Sequence, residues 1–573
     1  MLETKASDRF DPVTWQASRF AMTNHVRLVS LCLACVFSQS LAAAELRGRI
    51  VDDSGEPIPA RVYLQSESGE WLFVSSAVAE GSALPYREQW VPMPHAVEKH
   101  TTVSAHPFRI ELSRGEYTLE VERGKEYRPL RQKVVIADEP VELTLRLTRW
   151  IDLAQRGWYS GETHVHRRIS ELPSVMLAED LNVAFPVTFW TVQSDKAPGL
   201  EPSPLRSQGP SPFGPREDRG IAPIRVDSTH VILPRNTEYE IFSVGKKRHT
   251  LGAIFLLNHR SVFTATAPPI AAIAEQAHSE GALLDLDKHS WPWSMMLVPV
   301  AKVDLFELSN NSVWRTRFGF NQQPAPLPEW MHVEGDSPNT LTEWGWLNYG
   351  FEVYYGLLNC GFRISPTAGT ASGVHPVPLG HSRVYVHTGE QFDLDSWLSG
   401  LKAGRSFVTT GPMLFVTVNG KLAGETFSFE SDQPREFDVE IESISDRPVS
   451  RIELLVNGRV VETLTPDGTR TPQGAWRFQT RRRLPIRKSS WIAVRSVEPQ
   501  PDDRKRFAHT APWFVKLASQ PIAPRREQVE YFLSLMEAEL VRNRDILPAA
   551  ALAEFEQALS IYRGLLDEVA ESR

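Results

Sequence analysis

The run Gly161-Glu162-Thr163-His164-Val165-His166 concentrates the residue types best suited to chemistry. Side chains two apart on a β-strand project from one face, so His164 and His166 can offer two imidazoles to one cation. The same spacing fits two histidines on a solvated sheet face, and the pair alone leaves both readings open. Arg383 carries a planar guanidinium fork that matches a phosphate or a carboxylate, with an ordinary ion-pair arginine as the alternative. The aromatics Trp344, Trp346, Tyr349, Phe351, Tyr354 and Tyr355 are read either as the lining of a cleft or, more often at such spacings, as core. Cys360 has no base near it in sequence and reads as a small buried hydrophobe, and Arg481-Arg482-Arg483 as a solvated charge run.

These side chains need strands and helices to hold them. From Leu46 the sequence reads LRGRIVDDSGEPIPARVYL, with strand-forming runs on both sides of Asp53-Ser54-Gly55. Later Val141, Leu143, Leu145 and Leu147 alternate with polar residues. Residues 45–148 are therefore expected to form a small β-sandwich. Residues 149–410 mix apolar strand runs, such as 231–233 and 252–257, with a helical pattern over 270–281, which predicts an α/β domain. Seven prolines between Pro198 and Pro223 predict a long surface loop, either covering a site or simply inserted. Alternation before Asn419-Gly420 and before Asn457-Gly458 predicts hairpins and a second β-sandwich over 411–518. Apolar residues at helical spacing on both sides of Pro548 predict an αα-hairpin over 519–573, its stripes facing a core.

Several motifs in order resemble one family. The segment from Arg156 to Arg167 resembles the opening motif of the polymerase and histidinol phosphatase (PHP) metallohydrolases, in the carbaryl-hydrolase-like (CehA/McbA) branch. Thr237-Glu238-Tyr239-Glu240, Asp287-Lys288-His289, residues 303–310, residues 361–370 and residues 401–412 follow in the same order. The resemblance covers about residues 150–515. Gly48 to Val62 resembles the carboxypeptidase-regulatory-like, transthyretin-type domain, which implies a scaffold and not chemistry. The fold implied for the middle is a distorted β/α barrel with metals at its strand ends. The whole is then a multidomain α/β plus all-β protein: a barrel flanked by two β-sandwiches, with a C-terminal helical hairpin.

Carried over by position, the resemblance makes His164 and His166 ligands of one ion, Glu238 a carboxylate bridging to a second, and His289 a ligand of that second ion. Glu307 either completes the set or orients a ligand from behind, and Glu240 supports Glu238 from the same strand face. The sequence also departs from the pattern. Val187-Thr188-Phe189-Trp190 has no acid or imidazole where many relatives place Thr-Asp-His, and the usual late aspartate is Ala371. An alanine binds no cation, so one or two divalent ions (zinc, manganese or iron) are expected rather than three. His375, further downstream, is a candidate substitute ligand, and His381 and Arg383 lie near enough in sequence to contribute; no proton donor is assigned by the sequence, with His375 and His381 as the candidates.

The implied activity is hydrolysis of a phosphoester, ester or carbamate-like bond, in a small-molecule or polymeric substrate, by a metal-held hydroxide. The alternative is a catalytically degenerate binding protein for glycans or envelope components. Composition narrows the partners. The 573 residues exceed a single core, 42% hydrophobic and 23% charged content excludes wholesale disorder, and a formal charge of −8 excludes a global field for nucleic acid. Residues 28–37 are apolar or small, follow Arg27 and precede Ser40-Leu41-Ala42-Ala43-Ala44, which predicts a signal peptide within residues 1–44 and export to the periplasm or beyond. The run is too short to span a membrane, Met22 makes a more typical start than Met1, and Cys35 lacks a clean lipobox. No transmembrane anchor is expected. Three cysteines, two of them in the leader, exclude a disulfide framework.

Overall fold

Alternation over Ala43–Val51 places Leu46 and Ile50 inward, and this strand lies between Val141–Arg146 and Phe108–Ser113 in a four-stranded sheet. A second sheet, centred on Ala60–Ser66 and Gly115–Glu122, closes over it and buries Val62, Leu64, Leu119 and Val121. The expected sandwich is thus present. The computed structural model describes residues 43–87, 97–200, 213–319, 327–331, 333–337, 340–501, 503–518 and 520–571. The leader and signal-peptide reading lies outside the described residues. No helix among them is long and apolar enough to cross a membrane.

Two sheets build the middle of the chain, and the architecture is mixed α/β with all-β parts. One has six strands in the order Phe189–Gln193, Asn236–Val244, Lys247–Leu257, Leu283–Leu286, Leu305–Ser309 and Ser365–Ala368. The other carries Trp158–Val165 between Val183–Pro186, its parallel neighbour, and Arg383–His387, its antiparallel one. All eight residues of Trp158–Val165 are buried, as expected of a strand covered on both faces. This sheet does not stop near residue 410. It continues through Ser406–Thr409 into Lys505–Thr510, Ser490–Pro499, Arg451–Val456 and Arg459–Leu464, so one twelve-stranded sheet crosses the 410/411 boundary. Its far part forms the second sandwich with the sheet of Met413–Val418 and Arg435–Ser445.

The two Asn-Gly signals resolve differently. Asn457 and Gly458 both take positive φ, 50° and 77°, and join two paired strands as a two-residue hairpin. Asn419 and Gly420 make the same turn, φ 48° and 72°, but the strand before them pairs with Arg435–Ser445 instead.

The helix Glu343–Asn359 starts at Thr342, whose hydroxyl accepts from the Gly345 amide at 2.8 Å. Its aromatics belong to the core. Trp344, Trp346, Tyr349, Phe351, Tyr354 and Tyr355 are all buried; the Tyr354 hydroxyl donates to the Ile364 carbonyl at 2.9 Å, and the Tyr355 hydroxyl meets His509 Nε2 at 2.8 Å. Cys360, just after, is buried, and burial pushes its thiol up to about 12, so it is inert. Arg526–Asn543 and Ala549–Glu571 form the expected helical hairpin. It packs on the middle domain: Glu554 accepts from the Ile270 and Ala271 amides at the start of the helix Ala271–Ser279, and the Tyr562 hydroxyl donates to the Met295 carbonyl at 2.8 Å.

Glu352, on the aromatic helix, gives a test of this packing. Burial pushes its carboxyl up from 4.5 to about 7, against the lowering pull of Arg525 and Arg495. A folded value above the unfolded one means that its contribution is full below about pH 4.5 and is lost as the pH rises through about 7. Urea melts of Glu352→Gln are therefore expected to gain about 2–3 kcal/mol on the natural protein between pH 4 and pH 8. A difference independent of pH contradicts this account.

Candidate metal centre

Three ligand atoms converge where the two middle sheets face each other. His164 and His166 come from the strand Trp158–Val165 and the residue after it, and Glu238 comes from Asn236–Val244. Their ligand atoms all lie within 4.8 Å of one another, and all three side chains are buried. His164 Nε2 is 3.2 Å from His166 Nε2, which is 3.4 Å from Glu238 Oε2. Two ligands of one tetrahedral ion, each about 2.1 Å from it, sit about 3.4 Å apart. The observed spacing and the donor set, two imidazoles and a carboxylate, thus fit a divalent ion of the zinc, manganese or iron class.

Packing sets the ring positions. The His164 ring lies 4.5 Å from that of Phe255, and the His166 ring 4.6 Å from that of Trp190. Behind His164, Glu307 Oε1 lies 3.1 Å from Nδ1 and Asp287 Oδ2 lies 3.7 Å away. A carboxylate on Nδ1 fixes the tautomer and aims Nε2 forward, so of the two roles open to Glu307 this is the orienting one. Burial first, then the charges of Asp285 and Asp287, hold the Glu307 carboxyl well above its ordinary range. Gly369 is required here by close approach: a Cβ on it would land inside van der Waals contact of Glu307 Oε1 and His164 Cβ.

His289 is not among the three converging residues. It stacks against Phe306 at 5.5 Å, with Trp346 at 5.5 Å and Tyr349 at 5.6 Å, and neither ring nitrogen has a hydrogen-bond partner among the described residues. Burial, then the charge of Lys288, pushes it down to about 3, which keeps the ring neutral. Glu240 follows Glu238 on the same strand and is buried.

The expected catalytic residues fare differently. The turn 369–375 does lie against the site strand: the Ala371 amide donates to the His164 carbonyl, and the His166 amide to the Ser372 carbonyl, at 2.9 and 2.8 Å. Ala371 has φ 51° and offers no ligand side chain. The His375 ring on this turn has Nε2 2.9 Å from Asn311 Nδ2. His381 stands elsewhere, with Nδ1 3.4 Å from Lys125 Nζ. Burial, then Lys125 and Arg506, hold it well below its ordinary range, which keeps the ring neutral. The Arg383 reading is corrected. Its Nε donates to Gly380 O at 2.7 Å, and Nη1 and Nη2 donate to Asp180 O and Glu179 O at 3.0 Å each. The fork caps the C-terminus of the helix Leu172–Glu179 instead of holding an anion.

Further groups escaped the sequence reading. Glu162 alternates with the histidines on their strand and accepts from the Thr370 and Gly380 amides at 2.7 and 2.5 Å, tying the turn down; burial pushes it up to about 7 against those bonds. Asp285, likewise pushed to about 7 by burial, accepts from Thr367 Oγ1 at 3.1 Å. Lys288 Nζ pairs with Asp287. The alternation Asp285-x-Asp287 at the end of an apolar strand was the available signal. Arg216 had none: it belongs to the proline-rich segment, yet Nη2 donates to the His166 carbonyl at 3.1 Å and Nη1 to the Val187 carbonyl. That segment therefore reaches the site. From the N-terminal sandwich, Arg123 pairs with Asp180 at 2.8 Å, the Tyr86 hydroxyl donates to Glu171 at 2.6 Å, and Arg61 pairs with Glu179, fixing the first helix after His166.

No family model matches the chain, and no curated protein matches it. Among solved structures, a match titled as the structure of the streptococcal ancillary pilin has 14% identity and a TM-score of 0.13, over 22% of this chain. This chain spans 38% of the pilin chain, and a likeness at that level carries no argument about fold or function.

Proposed function

We propose that this chain is an exported, metal-dependent hydrolase of the PHP type, in which the two middle sheets form a distorted β/α barrel. The observation that carries the reading is the buried convergence of His164 Nε2, His166 Nε2 and a Glu238 oxygen at ligand spacing. A bound divalent ion supplies Lewis acidity and a water acidified toward neutrality, which suits a phosphoester, ester or carbamate-like centre. The protein's own residues do the rest. Glu307 orients His164 through Nδ1, Phe255 and Trp190 hold the two rings, and the burial of all three ligands excludes bulk water. His375, by its place on the turn beside His164 and His166, is the group we assign to protonate the leaving group.

The test begins with elemental analysis of the purified protein, followed by a panel of chromogenic esters, phosphoesters and carbamates. Chelation is expected to abolish turnover, and one of the three ions to restore it. Turnover that persists in metal-free protein refutes the assignment. Metal-loaded protein that turns over nothing but retains glycans favours the binding-protein reading.

A further inference from the structure

We infer that Lys288 is a built-in cation of this centre, standing where a second metal ion is otherwise expected, so that the protein binds one divalent ion. The inference rests on the proposed metal centre and specifies its nuclearity. Two independent observations carry it. First, the Lys288 ammonium is buried and pairs with Asp287 through Oδ2. Asp287 Oδ2 is the same atom that lies 3.7 Å from His164 Nδ1. The ammonium is therefore held on the carboxylate that lies behind His164, the position a second ion beside the His164, His166 and Glu238 cluster would take. A divalent ion entering there meets a like charge at short range in a medium of low dielectric.

Second, the imidazole expected to bind that ion is turned elsewhere. His289 lies among Phe306, Trp346 and Tyr349, and its Nε2 faces the backbone of Gly350, where an added Cβ would sit 3.2 Å away. The fold also holds Lys288 itself: Ser294 Oγ donates to its carbonyl, and the Trp291 ring centre is 5.7 Å from Nζ. Asn310 Nδ2 donates to the Asp287 carbonyl at 3.3 Å, fixing the neighbouring backbone. An ammonium and a divalent ion each neutralise carboxylates, but only the ion has open coordination positions for substrate. A lysine here therefore preserves charge balance while leaving a single reactive centre.

The test is metal stoichiometry in the full chain, stripped and reloaded with excess Mn²⁺, read by native mass spectrometry and electron paramagnetic resonance. The natural protein is expected to take one ion and give the six-line spectrum of an isolated Mn²⁺. Lys288→Ala, which empties the position, is expected to take two, and Lys288→Arg, which keeps the charge, one. Two ions in the natural protein overturn this inference and leave the hydrolase reading standing, whereas none removes both. A folded Lys288→Ala protein still limited to one ion also overturns it. Should that variant fail to fold, the stoichiometry of the natural protein and of Lys288→Arg decides.

Discussion

Replacing Glu238 by Ala is expected to strip the protein of its metal and to lower turnover about 1,000-fold, since Lewis acidity worth several kcal/mol converts at about 1.4 kcal/mol per decade. The carboxylate is the only acid among the three converging ligands, and two imidazoles alone are a poor site for a hard or borderline ion. The fold is expected to survive. Glu238 is fully buried, and its removal takes a desolvated carboxylate out of the metal-free protein. Metal-free Glu238→Ala should thus melt at or above the temperature of the metal-free natural protein, while losing the further rise that metal gives the latter. Calorimetry with and without metal, paired with elemental analysis, separates the two effects. A variant that keeps its ion, or turns over at the natural rate, refutes the assignment of this ligand.

Replacing Arg383 by Met is expected to cost about 4 kcal/mol of stability, because three buried carbonyls lose their donor at about 1–3 kcal/mol each. Glu179 O and Asp180 O stand at the end of the helix that follows His166, and Gly380 O lies beyond the turn that carries His375. Freed, the turn and the helix end both loosen. Chemical denaturation should show the loss with the slope unchanged. In whatever fraction stays folded, KM for anionic and neutral substrates should shift alike, as a helix cap requires. Selective loss of affinity for anionic substrates restores the anion-fork reading of this arginine.

Much of the architecture was legible because it follows local periodicity. The alternation at 141–147, the helical pattern over 270–281 and the stripes on both sides of Pro548 are each one-dimensional signals, and each appears as the element it predicts. The histidine pair was legible for the same reason: strand geometry alone puts His164 and His166 on one face. Its partners Glu238 and Glu307 were named only through the resemblance, since no periodicity points to them. Glu238, Glu307 and Asp287 come from other strands, and whether a buried carboxylate ligates an ion, orients an imidazole or pairs with a lysine depends on a few ångströms of sheet register that no spacing encodes.

The sequence by itself determined the element types and the strand carrying the two imidazoles. Only the tertiary structure decided the place each acid takes around those imidazoles, that Lys288 pairs with Asp287, that Arg383 is spent on a helix end and His381 on a cationic neighbourhood, and that one sheet runs through two expected domains. The physical reason is range. Side-chain periodicity reports on neighbours within a turn or a pleat, whereas charge, desolvation and ligand geometry are set by residues up to hundreds of positions apart.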